Sequence, residues 1–431
     1  MLLLVALAAL ALYSSNTQDA TRFGLAESVV LDGSLRIDRW QEQTGGDYAF
    51  RAGHYYTDKA PGVSMMAVPP FALLRASGAV GDGLARQGIW HEDSLAWSLR
   101  ILTVGALFVL GAFLVGRVAE GLVEATGGAA AATFGLGTLA LPLASTTFSH
   151  VAAGALAFAG FLLAWAALER RRSALLAAGG FCAGLAVFFE YPLALAALIV
   201  TVYVAVRSRR PGAVALFLGG IAPSVAGLAA YNAAAFGSPL RFSYSYVPAE
   251  EQRQGLFGIG TPGGRSLVRI LFSEHGLVTE TPVLVIAAAG LVLLWRAGRR
   301  AEATVCGATT IAFLLYNAGY YLPFGGASPG PRFFVPALPF LALGLPHAFR
   351  RLPVLTSALA LLSIALMTFD SATSGVSLLH PGLGGFEPTI WSVAGLPRAL
   401  GAALVFAAAL GATVLAARRL RPLVTFPFPG S

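Results

Sequence analysis

Asp19, in the stretch NTQDATRFGLAESVVLDGSLRID, stands at the start of a segment with helical spacing. A carboxylate there either caps a helix by accepting free backbone N–H groups or takes a proton from a nucleophile as a general base. Further on, GGDYAFRAGHYYTDKAPG sets Asp58 and Lys59 just ahead of Pro61, with His54 and Tyr56 close by. Lys59 is the single lysine among 29 basic residues. A lysine kept against so strong an arginine bias fits a compact ammonium facing a phosphate oxygen. A head-group anchor is the plainer role, and arginine performs it equally well.

Other polar residues stand at the ends of apolar runs. Arg332 follows the Gly330-Pro331 corner, where a guanidinium can grip phosphate bidentately or simply anchor the start of a span. His150 comes after Thr146, Thr147 and Ser149 and reads as a structural helix-end histidine or a sugar contact. Glu190, before Tyr191 and Pro192, sits in so apolar a stretch that it needs a cation, for which Arg22 and Arg332 are the candidates. Glu274 and His275 close a long polar segment whose Tyr244, Tyr246 and Phe257 can stack on a sugar ring. The glycines at 258, 260, 263 and 264 have no strand–helix frame and make no phosphate cradle. Cys182 and Cys306 lie inside apolar runs without metal or redox spacing.

The elements that must position these residues are membrane helices. The 431 residues are 56% hydrophobic and only 12% charged, with a mean hydropathy of +0.72; soluble domains carry about a quarter charged residues. Soluble enzymes, nucleic-acid-binding folds and secreted disulfide scaffolds are excluded. Apolar runs fall at 1–13, 62–77, 96–116, 127–147, 150–169, 173–189, 191–206, 212–236, 277–295, 302–322, 332–349, 352–369 and 398–417. At about 20 residues per crossing, they predict an all-α polytopic bundle of about 11 to 13 spans over one domain, 1–431. The run 1–13 is too short to cross alone and carries no clear signal-peptide cleavage site. The run 62–77, with Pro69, Pro70 and Arg75, either crosses or lies in the interface.

Basic clusters at Arg117, Arg170 to Arg172, Arg207 to Arg210, Arg296 to Arg300, Arg350 and Arg351, and Arg418 to Arg421 are separated by pairs of apolar runs. All can therefore share one face, and the positive-inside rule makes it cytoplasmic. The net charge of +8 then needs no nucleic-acid partner. The opposite face receives 14–61, the turns at 149–150 and 190–191, and the segments 237–276, 323–331 and 370–397. Nearly every chemical candidate falls there. In the first of these segments, Phe23, Ala26, Val30 and Leu31 are expected to face the membrane surface.

The D-x-x-R-[YF] pattern from Asp19 to Phe23 resembles the acidic motif in the first external loop of GT-C superfamily glycosyltransferases. YYTDKAPG, Tyr55 to Gly62, is similar to the lysine-proline segment that follows it in part of that superfamily. LFSEHGLVTETPVLVIAAAGLVLLWR, from Leu271, and FGGASPGPRFFVPALPFLALGLP, Phe324 to Pro346, resemble late-loop and helix motifs of bacterial members such as protein O-mannosyltransferases and lipid A aminoarabinose transferases. The resemblance runs from about residue 16 to 350. It implies an enzyme of the bacterial inner or plasma membrane, with its active face extracytoplasmic. A sugar would pass with inversion from a polyprenyl-phosphate donor to a glycan, lipid or protein acceptor among the membrane lipids. Asp19 would be the base; Lys59, Arg332 and Arg22 would bind the donor phosphate. Asp58, His54, Tyr56, His150, Glu190, Tyr191, Glu274 and His275 would contact substrate. Many relatives have an acid directly after the aspartate, where this chain has Ala20. No resident cofactor is expected, and a divalent metal stays an open alternative. So do a transporter or flippase, and a non-catalytic relative that binds lipid-linked sugar.

Overall fold

The computed structural model describes residues 1–11, 16–88, 93–326 and 328–373. The expected segment 370–397 beyond residue 373, the run 398–417 and the cluster Arg418 to Arg421 lie outside these, as do residues 12–15. Among the described residues the architecture is all-α apart from one two-stranded hairpin. Five helices among the described residues are long and apolar enough to cross a membrane: Ser94–Leu122, His150–Arg170, Tyr191–Ser208, Pro211–Phe236 and Arg332–Arg351. A sixth arises if Gly264–Glu280 and Val283–Arg296, bent by 85° at their junction, count as one. Gly62–Ala76, Ser173–Phe189 and Pro353–Thr368 are shorter apolar helices.

Several of the expected runs are not single unbroken helices among the described residues. The run 127–147 is not one span: it breaks into Gly127–Leu136 and Ala140–Ala144, where Gly137 and Pro142 interrupt the backbone ladder. The run 62–77 folds as a 15-residue helix carrying both prolines. The run 332–349 is a chain of short helical pieces, each opened or broken at a proline: Pro336, Pro339 and Pro346.

Small residues let these helices approach closely. In lipid there is little hydrophobic drive between helices, so association depends on backbone proximity and van der Waals packing. A Cβ on Gly180 would lie 1.9 Å from the Phe217 carbonyl oxygen, and one on Gly220 would lie 2.0 Å from that of Ala177. Helices Ser173–Phe189 and Pro211–Phe236 therefore touch backbone to backbone. Gly290 and Gly344 make the same contact between Val283–Arg296 and the proline-rich segment, with a Cβ on Gly290 reaching 2.0 Å from the Gly344 oxygen.

The basic ends meet. Arg299 pairs with Glu169, which also accepts from Trp165 Nε1 at 2.9 Å, and the Arg299 guanidinium sits 5.6 Å from the Trp165 ring. Nearby in sequence, Glu302 accepts from Tyr203 Oη at 2.9 Å and lies 3.9 Å from Arg207 Nε. The clusters around 170, 207 and 299 thus belong to one end of the bundle. His150 opens the 21-residue helix that ends at Arg170, a rise of about 30 Å, so its start lies at the opposite end. Arg100, fully buried, donates to the carbonyls of Ala9 at 2.6 Å and Ala144 at 3.0 Å, fixing the first helix against the bundle.

The segment after residue 15 is folded, not a loose loop. Helix Thr17–Asp32 ends at Gly33, whose φ of 59° supplies the left-handed stop. The hairpin Ala49–Arg51 with His54–Tyr56 pairs Ala49 with Tyr56 and Arg51 with His54. Its turn residues Ala52 and Gly53 have φ of 52° and 82°, matching the twist that two-residue hairpin turns require. One expectation is corrected here. Phe23 and Ala26 do not face a membrane surface: they are fully buried against Trp40, Ala67, Phe71 and Leu99, with Val30 and Leu31 packed at the edge. The polar segments 35–44 and 77–85 bring the apolar partners that cover them.

Gly180→Ala is expected to force its helix pair apart and to lower stability by about 1–3 kcal/mol, the usual range for overpacking. Gly219→Ala, whose Cβ would meet nothing within 4 Å, should be neutral. Apparent melting temperatures of the two variants in one detergent check this.

Candidate functional site

At the end of the bundle opposite the arginine clusters, four chain segments meet around buried charges. Helix Thr17–Asp32 starts with a capping box: the Asn16 side chain accepts from Gln18 N at 2.9 Å, and Asp19 Oδ2 accepts from Asn16 N at 3.1 Å. Asn16, not Asp19, is therefore the N-cap, and Asp19 is its partner in the first turn. Asp19 is buried, and its Oδ1 also accepts from Thr147 Oγ1 at 2.6 Å. This bond joins the first segment to the turn before His150.

Arg22 extends the link. It is buried, and its Nε and Nη2 donate to Gln18 Oε1 at 3.3 and 3.2 Å. Nη2 also donates to Ser149 Oγ at 3.1 Å. Ser149 in turn donates to Glu190 Oε2, and His150 Nδ1 lies 3.4 Å from the same oxygen. Arg22, Ser149 and Glu190 thus form one hydrogen-bonded line across three segments. Arg22 Nη1 is buried with no hydrogen-bond acceptor among the described residues. Burial lowers the Arg22 pKa against the pull of Glu190 and Asp58. Burial also raises the Glu190 carboxyl above its ordinary range, although Arg22 and the Ser149 hydroxyl oppose the shift.

Lys59 stands beside this line. Its Nζ donates to Asp47 Oδ1 at 2.7 Å and Asp58 Oδ2 at 2.6 Å, so an ammonium bridges two carboxylates with one N–H left over. Asp47 Oδ2 accepts from Thr17 Oγ1 at 3.1 Å, tying the bridge to the turn that holds Asp19. Burial works against the Lys59 charge, but Asp47 and Asp58 hold its pKa above the usual value. The two acids diverge. Burial dominates at Asp58 and raises it, whereas at Asp47 burial is outweighed by Lys59 and Arg332, which lower it. Asp58 Oδ1 is buried with no donor among the described residues.

Arg332 closes the far side, its guanidinium 4.8 Å from the Phe148 ring and 5.5 Å from Phe333. Its field reaches Asp47, Lys59 and Glu190. Phe333 packs on His150 at 5.2 Å, Tyr320 at 4.7 Å and Tyr316 at 5.6 Å. Tyr191 packs on Phe242 at 5.1 Å and Tyr244 at 5.3 Å, and both of those meet Phe257. Ser243 Oγ donates to the Asp58 carbonyl at 2.7 Å, so the segment after Phe236 lies over the charged cluster.

Asp19, Arg22, Asp58, Lys59, His150, Glu190, Tyr191 and Arg332 are thus brought together. Five other sequence candidates are engaged elsewhere. His54 Nδ1 pairs with Asp38 at 2.8 Å on the half-exposed hairpin. The Tyr56 ring turns into an apolar cluster against Phe236, 5.5 Å away. Glu274 is 87% exposed and pairs only with its neighbour His275, at 3.8 Å, among the described ion pairs. Tyr246, expected with Tyr244 and Phe257 to stack on a sugar ring, instead stacks on Phe236 at 5.4 Å. The candidate set lacked Asp47, Gln18 and Thr17. Asp47 had a signal in Gly45-Gly46, whose φ values of 59° and 96° turn the chain back toward Lys59. Among the described residues no group of three or more His, Cys, Asp or Glu is placed to hold a metal ion.

The arrangement can present guanidinium and ammonium donors to an anionic oxygen while carboxylates stand ready to accept protons. The chain matches no protein-family model and no curated protein sequence.

Because the Glu190 pKa is raised on folding, its protonation favours the folded state. That contribution is full below the ordinary value of 4.5 and is lost as pH rises through the raised one. Glu190→Gln, neutral throughout, should flatten this part of the stability–pH curve. Melting temperatures of both proteins from pH 4 upward test it, and parallel curves would refute the assignment.

Proposed function

We propose that the chain is a GT-C-type membrane glycosyltransferase that moves a sugar from a polyprenyl-phosphate carrier to an acceptor hydroxyl at the extracytoplasmic face. The observation that carries this reading is the convergence of Asp19, Arg22, Glu190 and the Asp47–Lys59–Asp58 bridge from distant segments. They gather at the end of the bundle away from the arginine clusters, which the positive-inside rule assigns to the cytoplasm.

The chemistry needs a base beside a nucleophile and cations beside a leaving group. Asp19 takes the proton of the acceptor hydroxyl. The oxygen attacks the anomeric carbon from the face opposite the phosphate, so configuration inverts. The bond from that carbon to the phosphate oxygen breaks, and the electron pair leaves with polyprenyl phosphate. Arg22, Lys59 and Arg332 offset the charge that gathers there. Thr147, bonded to Asp19, orients the base; Tyr244 and Phe257 offer faces for a sugar ring. The apolar helix surfaces below take the isoprenoid tail, each buried CH₂ contributing about 0.8 kcal/mol. Of the other readings, a transporter would be supported by ionisable groups at mid-span, whereas the clustered charges here sit at helix starts and in connections.

The purified chain in proteoliposomes with radiolabelled lipid-linked sugars should transfer label to an acceptor. Asp19→Asn, which keeps the capping geometry, should lose activity by roughly a hundredfold or more while staying folded. Lys59→Arg should lose roughly tenfold, because a planar fork does not replace a point ammonium between two carboxylates. Flux of donor across the bilayer without transfer would point to a transporter. Donor binding with no transfer by the wild type would point to a binding protein.

A further inference from the structure

Helix Gly264–Phe272, sequence GRSLVRILF, is one-sided in an unusual way. It buries Ile270 and half-buries Leu267 and Leu271 against the protein. Its outer arc leaves Val268 59% and Phe272 61% exposed, with Arg265 and Arg269 exposed beside them. Residues 265, 268, 269 and 272 fall on one strip at helical spacing. An aqueous surface gives no reason to expose a valine and a phenylalanine one turn apart.

The orientation supplies the reason. The unit Gly264–Glu280 meets Val283–Arg296 at 85°. If the second helix crosses the bilayer, the first lies in its plane. Val283–Arg296 leaves Val285, Val292 and Trp295 exposed, so both arms of the bend carry outward apolar side chains. The position is held by the Arg269 guanidinium 6.0 Å from the Phe324 ring, and by the preceding segment. There Gly260 N donates to Gly319 O at 2.7 Å, and Tyr321 N donates to Gly258 O at 2.9 Å.

We infer that Gly264–Phe272 is an in-plane docking surface for the anionic phospholipids of the leaflet at the charged end of the bundle. Val268 and Phe272 enter the acyl region, and Arg265 and Arg269 hold headgroup phosphates. An apolar strip edged by arginines is the composition that binds such an interface. The segment that begins over Asp58 and Tyr191 is thereby moored to the membrane at its far end. The inference does not depend on the glycosyltransferase reading, because it concerns lipid contact alone.

The test uses the full chain with Cys182 and Cys306 replaced by alanine, carrying a nitroxide at Val268→Cys, Phe272→Cys or, as an aqueous control, Glu250→Cys. The protein is placed in nanodiscs of phosphatidylcholine mixed equally with phosphatidylglycerol. Labels at 268 and 272 are expected to collide with oxygen in preference to a nickel chelate, and the label at 250 to show the reverse. Labels at 268 and 272 as nickel-accessible as that at 250 would overturn the proposal and leave the strip to a protein partner. Mass spectrometry of lipid retained in detergent tests the arginines. R265Q/R269Q should lower retained phosphatidylglycerol relative to phosphatidylcholine by roughly fivefold or more, while R265K/R269K keeps it. An unchanged ratio in the glutamine variant, with helicity intact, would overturn the headgroup contact.

Discussion

Burying a guanidinium among helices costs several kcal/mol unless its donors are met and an opposite charge is near. Arg22 meets most of that condition through Gln18 on its own helix, Ser149 at the start of one membrane helix, and Glu190 behind the serine, with Nη1 left without an acceptor among the described residues. Glu190, at the turn before Tyr191, needs the arginine just as much. Neither charge is tolerable alone at that depth. Because they arrive on segments more than a hundred residues apart in sequence, the pair fixes the first folded segment on the bundle in one register. Asp19 with Thr147, and Thr21 with Thr57 at 3.0 Å, follow from that placement.

Polar constraints and close backbone packing divide the work. Between the helices, glycines bring backbones together, as at Gly180 with Gly220 and Gly290 with Gly344. These contacts hold each pair closely and, taken alone, leave one pair free to shift against another. The ends remove that freedom. Arg299 with Glu169 and Tyr203 with Glu302 lock one end; the Arg22 line and the Lys59 bridge lock the other.

Much of this was legible in the sequence because two signals are strong. Apolar runs mark membrane helices, and spaced arginine clusters say which ends lie together; the meeting of residues 169, 207, 299 and 302 accords with that reading. Glu190 was readable as a carboxylate in need of a cation. What escaped depends on tertiary neighbours. Nothing in a hydropathy profile separates a continuous span from the broken helices of 127–147, since a break changes backbone geometry and not polarity. Phe23 and Ala26 look amphipathic whether their partner is lipid or Trp40 and Phe71. Asn16 and Asp19 both fit a helix start, and only the reciprocal bonds assign which of them caps. Asp47 was hidden because its partnership with Lys59 depends on two left-handed glycines and a hairpin between them.

The ammonium held between Asp47 and Asp58 has a bearing on selectivity. A bare cation in a cleft attracts any small anion and would be saturated by whatever salt surrounds it. One already matched on two sides offers a wandering chloride or sulfate only its remaining N–H, in exchange for the water that the anion gives up. A newcomer gains only if the rest of its body is bound strongly enough to make that exchange favourable. On the proposed reading, discrimination would then rest with shape and length more than with the charge the visitor carries.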